Sequence, residues 1–151
     1  MVYLFLAPGF EESEAVVPAD LLRQAEVETA LVSLSGNAVT GAHNITVQAD
    51  LTVDEVDLDQ AEMLVFPGGG TGVENLWNDD RVSALIQEAA RRDIWLAALC
   101  AGYLSLEGAL IPLGVGSAVL SALTWIPLER QKRARKAVRW AAAGVALGVL
   151  W

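Results

Sequence analysis

The chain has 151 residues, of which 54% are hydrophobic, with a single cysteine and a formal net charge of −9. That length suits one domain with a full core, and one cysteine excludes an internal disulfide and fits a reducing compartment. The charge is unevenly spread: residues 1–103 hold 4 Arg and 17 acidic residues, a net of −13, whereas residues 104–151 hold 6 basic and 2 acidic residues, a net of +4. An acidic body repels phosphate backbones, so nucleic acid is not an expected partner.

Val2–Ala7 (VYLFLA) is a short apolar run closed by Pro8-Gly9, the pattern of a strand buried on both faces. No basic stretch precedes it and Pro-Gly arrives too early for a signal peptide, so the expected location is the cytoplasm. Val17, Leu21, Leu22 and Ala25 then recur at helical spacing. Glu11, Glu12 and Glu14 fall at the start of that helix, where the dipole favours acids, and read as a solvated first turn. Thr29–Ser35 predicts a second strand, residues 36–43 (GNAVTGAH) a turn, and residues 44–50 (NITVQAD) an alternating, half-exposed strand. His43, in the turn-like stretch, reads as a surface histidine.

Residues 62–70 (EMLVFPGGG) repeat the opening pattern, a buried strand running into glycines, without the lysine of a phosphate-binding loop. From Asp80, the residues Val82, Leu85, Ile86, Ala89 and Ala90 mark an amphipathic helix. Ile94–Leu99 is one more apolar run. Continuous apolar strands alternating with helices predict a parallel α/β architecture.

In open parallel sheets, ligands bind beyond the carboxyl ends of the strands. Three such ends are marked here: Gly9 to Glu14, Gly68 to Gly72, and Cys100-Ala101-Gly102. Taken alone, a cysteine closing an apolar strand is a small hydrophobe in a core. The small residues after Cys100 also permit a tight strand-to-helix turn that exposes the sulfur, as at a nucleophile elbow. A helix starting at Ala101 would direct free N–H groups at that sulfur and at an oxyanion, and Glu14 could bring a carboxyl within reach. No cluster of His and Cys exists to hold a structural zinc, and no metal or cofactor is expected.

The segments FLAPGFEESEAVVPADLLRQA, GAHNITVQAD, LVFPGGG and LAALCAG, in this order and spacing, resemble the DJ-one/ThiJ/PfpI family, nearest its YajL-like branch. The match covers residues 1 to about 103. The resemblance implies a flavodoxin-like (Rossmann-like) parallel-sheet sandwich, a homodimer, and a reactive cysteine. It makes Cys100 the nucleophile and redox centre and Glu14 the carboxyl that hydrogen-bonds its sulfur. Gly68, Gly69 and Ala101 would line the site as backbone donors. The activity implied is cofactor-independent chemistry on small aldehydes or glycated substrates, of the glyoxalase or deglycase type. The rivals are a non-catalytic redox sensor or chaperone-like protein, and an inactive truncated member.

Beyond the elbow the family pattern continues with further strands and a histidine-bearing loop. Here no histidine follows Cys100, and Tyr103 stands where the family commonly has proline. The α/β domain (1–103) therefore reads as incomplete, followed by an atypical apolar and basic tail (104–151). Gly108–Leu128 has 21 residues without a charge and is followed by ERQKRARK, which is long enough to span a bilayer. Pro112, Gly114, Gly116 and Pro127 weaken it as a helix. Two expectations stand for this tail: a shifted reading frame relative to an intact family member, or membrane association through residues 108–128.

Overall fold

In a computed structural model, residues 1–100 are described; the expectations for Ala101, Gly102 and the tail fall outside them. The elements run β1 (Val2–Leu6), α1 (Glu12–Gln24), β2 (Thr29–Ser33), β3 (Ala38–Thr40), β4 (Thr46–Gln48), β5 (Leu51–Thr52), β6 (Met63–Phe66), α2 (Gly70–Trp77), α3 (Asp80–Arg91) and β7 (Trp95–Ala98). A single 3-10 turn, Val53–Glu55, follows β5. Five strands form one sheet in the order β5-β2-β1-β6-β7, and every pairing in it is parallel. This is the predicted flavodoxin-like α/β architecture.

Strand β1 lies at the centre and all five of its residues are buried. Because successive side chains point to opposite faces, the strand feeds two separate cores. Tyr3, Phe5 and Ala7 pack with Leu64, Phe66, Leu76, Val82, Ile86 and Ala89, which is the face covered by α2 and α3. Val2, Leu4 and Leu6 pack with Phe10, Ala15, Ala19 and Leu22, the face covered by α1. The Phe5 and Phe66 rings stack with centroids 4.9 Å apart. A strand with a core on each side has no polar face to show, which is why VYLFLA is an unbroken apolar run.

Four local expectations differ from the structure. The buried stripe of α1 is Glu12, Ala15, Ala19 and Leu22, while Val17 is 53% exposed. Leu22 lies on the expected face, but Val17 points away from it, since close packing against the sheet selects alanine at two of these positions. The segment read as a turn, 36–43, contains β3, which pairs antiparallel with β4 in a two-stranded hairpin. Helix α2 went unread because two of its first three residues are glycine, a poor helix former in isolation. Finally, β7 is half-buried rather than fully buried, as befits a strand whose partner among the described residues is β6 alone.

Candidate active site

Strands β1, β6 and β7 are neighbours and parallel, so their carboxyl ends open side by side. The ends of β1 and β6 are joined directly, and β7 ends on the same side of the sheet. After β1 the chain turns through Pro8 and Gly9 (φ 82°) and enters α1, whose first turn carries Glu14. After β6 it turns through Gly68 and Gly69. After β7 it reaches Leu99, whose N–H donates to the Phe66 carbonyl at 3.0 Å, and then Cys100.

The first two loops are locked together. The Glu11 N–H donates to the Gly68 carbonyl at 3.0 Å, and the Gly72 N–H donates to the Gly9 carbonyl at 3.2 Å. Gly69 has φ 94°, and a Cβ there would collide with the Gly9 carbonyl oxygen and lie 2.6 Å from the Glu11 nitrogen. A side chain is thus excluded twice, by conformation and by the opposing backbone. Within this frame the Glu14 carboxylate accepts the Gly68 N–H at 2.7 Å through Oε2. Of the sequence-expected residues, the structure bonds Glu14 to Gly68, with Gly69 next in the same turn; no hydrogen bond from Glu14 to the Cys100 sulfur is present among the described residues. Gly68 spends its N–H on the carboxylate, so its part is to aim Glu14.

Cys100 is exposed and has φ 46°. A non-glycine residue in this left-handed region is strained, and such strain concentrates where a side chain is held out for chemistry.

A family model described as the DJ-1/PfpI family matches residues 1–112. The chain belongs to the DJ-1/PfpI family. The match extends past the expected limit of about residue 103. Among relatives, the Thermococcus kodakarensis protein named Deglycase TK1284 is 38% identical over 68 residues, covering 45% of this chain and 41% of its own length. The Drosophila melanogaster protein dj-1beta is 30% identical over 99 residues, 65% of this chain and 53% of its own. The crystal structure of Drosophila DJ-1beta superposes with a TM-score of 0.67 at 29% identity, covering 78% of this chain and 61% of that one. This DJ-1/PfpI chain spans about half the length of these two curated relatives.

One group of residues escaped the sequence reading. Glu12, placed among solvated acids, is only 6% exposed. Its Oε1 accepts the N–H of His43 at 2.7 Å and of Ile45 at 3.4 Å, and its Oε2 lies 2.9 Å from His43 Nδ1. Gly41 abuts the same carboxylate so closely that a Cβ would overlap it. His43 is a surface residue, with its side chain 66% exposed, but it is tied to α1 rather than isolated, and Glu11 Oε1 is 3.8 Å from the same nitrogen. Burial pushes the Glu12 pKa up, but hydrogen bonds from the His43 ring, its own N–H and the amides of His43 and Ile45 outweigh it, bringing the pKa to about 2. The Glu12 hydrogen bond, then the charges of Glu11 and Glu12, raise the His43 pKa above its ordinary value. The ligand atoms of Glu11, Glu12 and His43 lie within 4.8 Å of one another. Glu12 Oε1 already accepts two backbone amides and Oε2 lies against His43 Nδ1, so the carboxylate is satisfied within the protein. The spacing 12, 15, 19, 22 along one helix face was the signal that Glu12 faces inward.

Proposed function

We propose that this chain performs cysteine-dependent chemistry on small reactive aldehydes or glycated substrates, of the glyoxalase or deglycase type, with Cys100 as nucleophile and Glu14 as proton carrier. The observation that carries the reading is the Glu14–Gly68 hydrogen bond, which fixes a carboxylate at the carboxyl end of the parallel sheet, the same end at which β7 leads to an exposed, strained cysteine. Relatives named deglycases support the substrate class. A homodimer, a cytoplasmic location and the involvement of Gly69 and Ala101 as oxyanion donors belong to the same proposal.

The steps follow from the groups present. The Cys100 sulfur adds to the aldehyde carbon of a 2-oxoaldehyde, forming a C–S bond while the carbonyl pair becomes an oxyanion held by backbone N–H groups. After that oxygen is protonated, Glu14 removes the proton from the same carbon and returns it to the adjacent one, while the hydroxyl proton of the hemithioacetal passes to the former ketone oxygen, so that the first carbon becomes a thioester carbonyl and the second a carbinol. The resulting thioester is cleaved by water, which releases a 2-hydroxy acid and the thiol. The enzyme needs no redox partner, because oxidation at one carbon matches reduction at its neighbour.

The test is conversion of methylglyoxal to lactate by the purified chain, alongside Cys100→Ser and Glu14→Gln. Turnover lost in both variants supports the reading. Absence of turnover, with Cys100 still oxidised by peroxide, overturns it in favour of a redox sensor.

A further inference from the structure

The Glu12–His43 pair sits at the other side of the loop that carries Glu14. The hairpin β3–β4 is tied to the β1–α1 loop by a row of bonds. The Gly9 N–H donates to the Thr40 carbonyl at 2.9 Å and the Ala42 N–H to the Phe10 carbonyl at 2.8 Å. The Glu12 carboxylate then gathers the next two amides and the His43 ring. The opposite edge of the same loop bonds Gly68 through Glu11 and Glu14. The Glu14 segment is therefore gripped from two sides, by glycines of the β6–α2 turn and by the hairpin.

We propose that Glu12 and His43 form a proton-sensitive latch that positions Glu14 against Gly68, so that the carboxylate of the site is held more firmly when His43 is protonated. This rests on the reading of Glu14 as the site's carboxyl. Glu12 is the only charged residue buried among those described, so its charge must be met where it lies. The hairpin meets it with two amides and one ionisable ring. The charged groups that act on His43 are Glu11 and Glu12, both from the start of α1. The hairpin turn itself, Gly41 to Ile45, contributes no other ionisable side chain. Protonated, the ring donates a charge-assisted bond to Glu12 Oε2, stronger than a neutral one. Neutral, it keeps a hydrogen bond only in the tautomer that carries the proton on Nδ1. Loss of the proton thus weakens one of the two grips two residues from Glu14, leaving the backbone bonds in place.

The experiment is NMR titration of the full chain, which needs no turnover. His43 is the single histidine, so its ring signals are read directly, and the Gly68 amide proton reports the bond to Glu14. The expected result is a step in the Gly68 amide shift with the same midpoint as the His43 ring, above 6.5. In His43→Arg, which keeps a cation at every pH, that step disappears and the Gly68 shift stays at its low-pH value. In Glu12→Gln the His43 midpoint falls and the Gly68 step goes with it. His43→Gln, at an exposed position, serves if Glu12→Gln does not fold, and it fixes the Gly68 shift at the high-pH value. A Gly68 amide that ignores the His43 titration, or that follows it unchanged in His43→Arg, overturns the latch. Because these signals do not depend on catalysis, absent turnover with an intact Gly68 step refutes the proposed function alone.

Discussion

The Glu14 carboxylate is bound to the Gly68 amide at 2.7 Å, 54 residues away in sequence. This bond joins the first turn of α1 to the glycine turn after β6, and it separates Glu14 from the other acids of its helix. Glu11 bonds the neighbouring Ser13 hydroxyl and Glu12 belongs to the hairpin.

Replacing Glu14 by Gln is expected to lower aldehyde turnover by about a hundredfold or more, the usual worth of a positioned acid–base group. Glu11→Gln should change it little, since a partly exposed acid near a helix start contributes about 0.3–1 kcal/mol to the helix and none to proton transfer. Initial rates on methylglyoxal, with thermal unfolding as a control for folding, make the comparison. Equal losses in the two variants would remove Glu14 from the chemistry. Glu12→Gln is unsuitable as a neutral control because Glu12 is buried.

Stability should vary with pH in a way set by one ion pair. The Glu12 pKa falls from 4.5 to about 2 on folding, so its contribution is complete above 4.5 and is lost as pH falls through about 2. The His43 pKa rises from 6.5, so its contribution is complete below 6.5 and is lost as pH rises through the folded value. Both ends of the pair are fully engaged between 4.5 and 6.5. Thermal unfolding midpoints of the chain and of His43→Gln should therefore differ most in that window and converge above it. A difference that grows towards alkaline pH would contradict the assignment.

Gly69→Ala and Gly70→Ala should act in opposite directions although the positions are adjacent. Gly69 has φ 94° and faces the Gly9 carbonyl and the Glu11 amide. A Cβ there meets both conformational strain, about 1–3 kcal/mol, and a backbone that must move. Gly70 is the first helical residue of α2 with open space around it. Alanine there gains up to about 1 kcal/mol from the unfolded chain's lost freedom. Urea unfolding of the two variants decides the matter, and Gly69→Ala should also weaken the Glu14–Gly68 bond by displacing the loop.

The central strands were legible because burial on both faces leaves an unbroken apolar signature, as in VYLFL and MLVF. Helix α3 was legible because Val82, Ile86 and Ala89, its buried residues, recur at helical spacing. What stayed hidden was set by tertiary contact. The face of α1 is decided by alanines packed on the sheet, and the start of α2 is decided by its N-cap Gly69 and by Gly72, both in close approach to Gly9 and Phe10. Within the site, the strand ends bearing Glu14 and Gly68 could be read from position, since parallel strands deliver their carboxyl ends together. The Glu12–His43 pair could not, because it joins residues 31 apart through a hairpin whose first strand looks like a turn.

Cys100 carries the last prediction. With φ 46° it occupies a region that costs an L-residue about 1–2 kcal/mol. Glycine visits that region freely but loses roughly 0.5–1 kcal/mol through the entropy of the unfolded chain. Cys100→Gly should therefore be more stable than Cys100→Ala, which keeps the strained backbone, and the gain should be about 1.5 kcal/mol at most. Both variants lose thiol alkylation, so stability and reactivity move independently at this position. The measurement is paired urea unfolding of Cys100→Gly and Cys100→Ala, with iodoacetamide labelling of the parent chain as the reactivity reference. A Cys100→Gly variant less stable than Cys100→Ala would mean that the turn imposes no left-handed strain, and that the sulfur is presented by something other than the backbone conformation at residue 100.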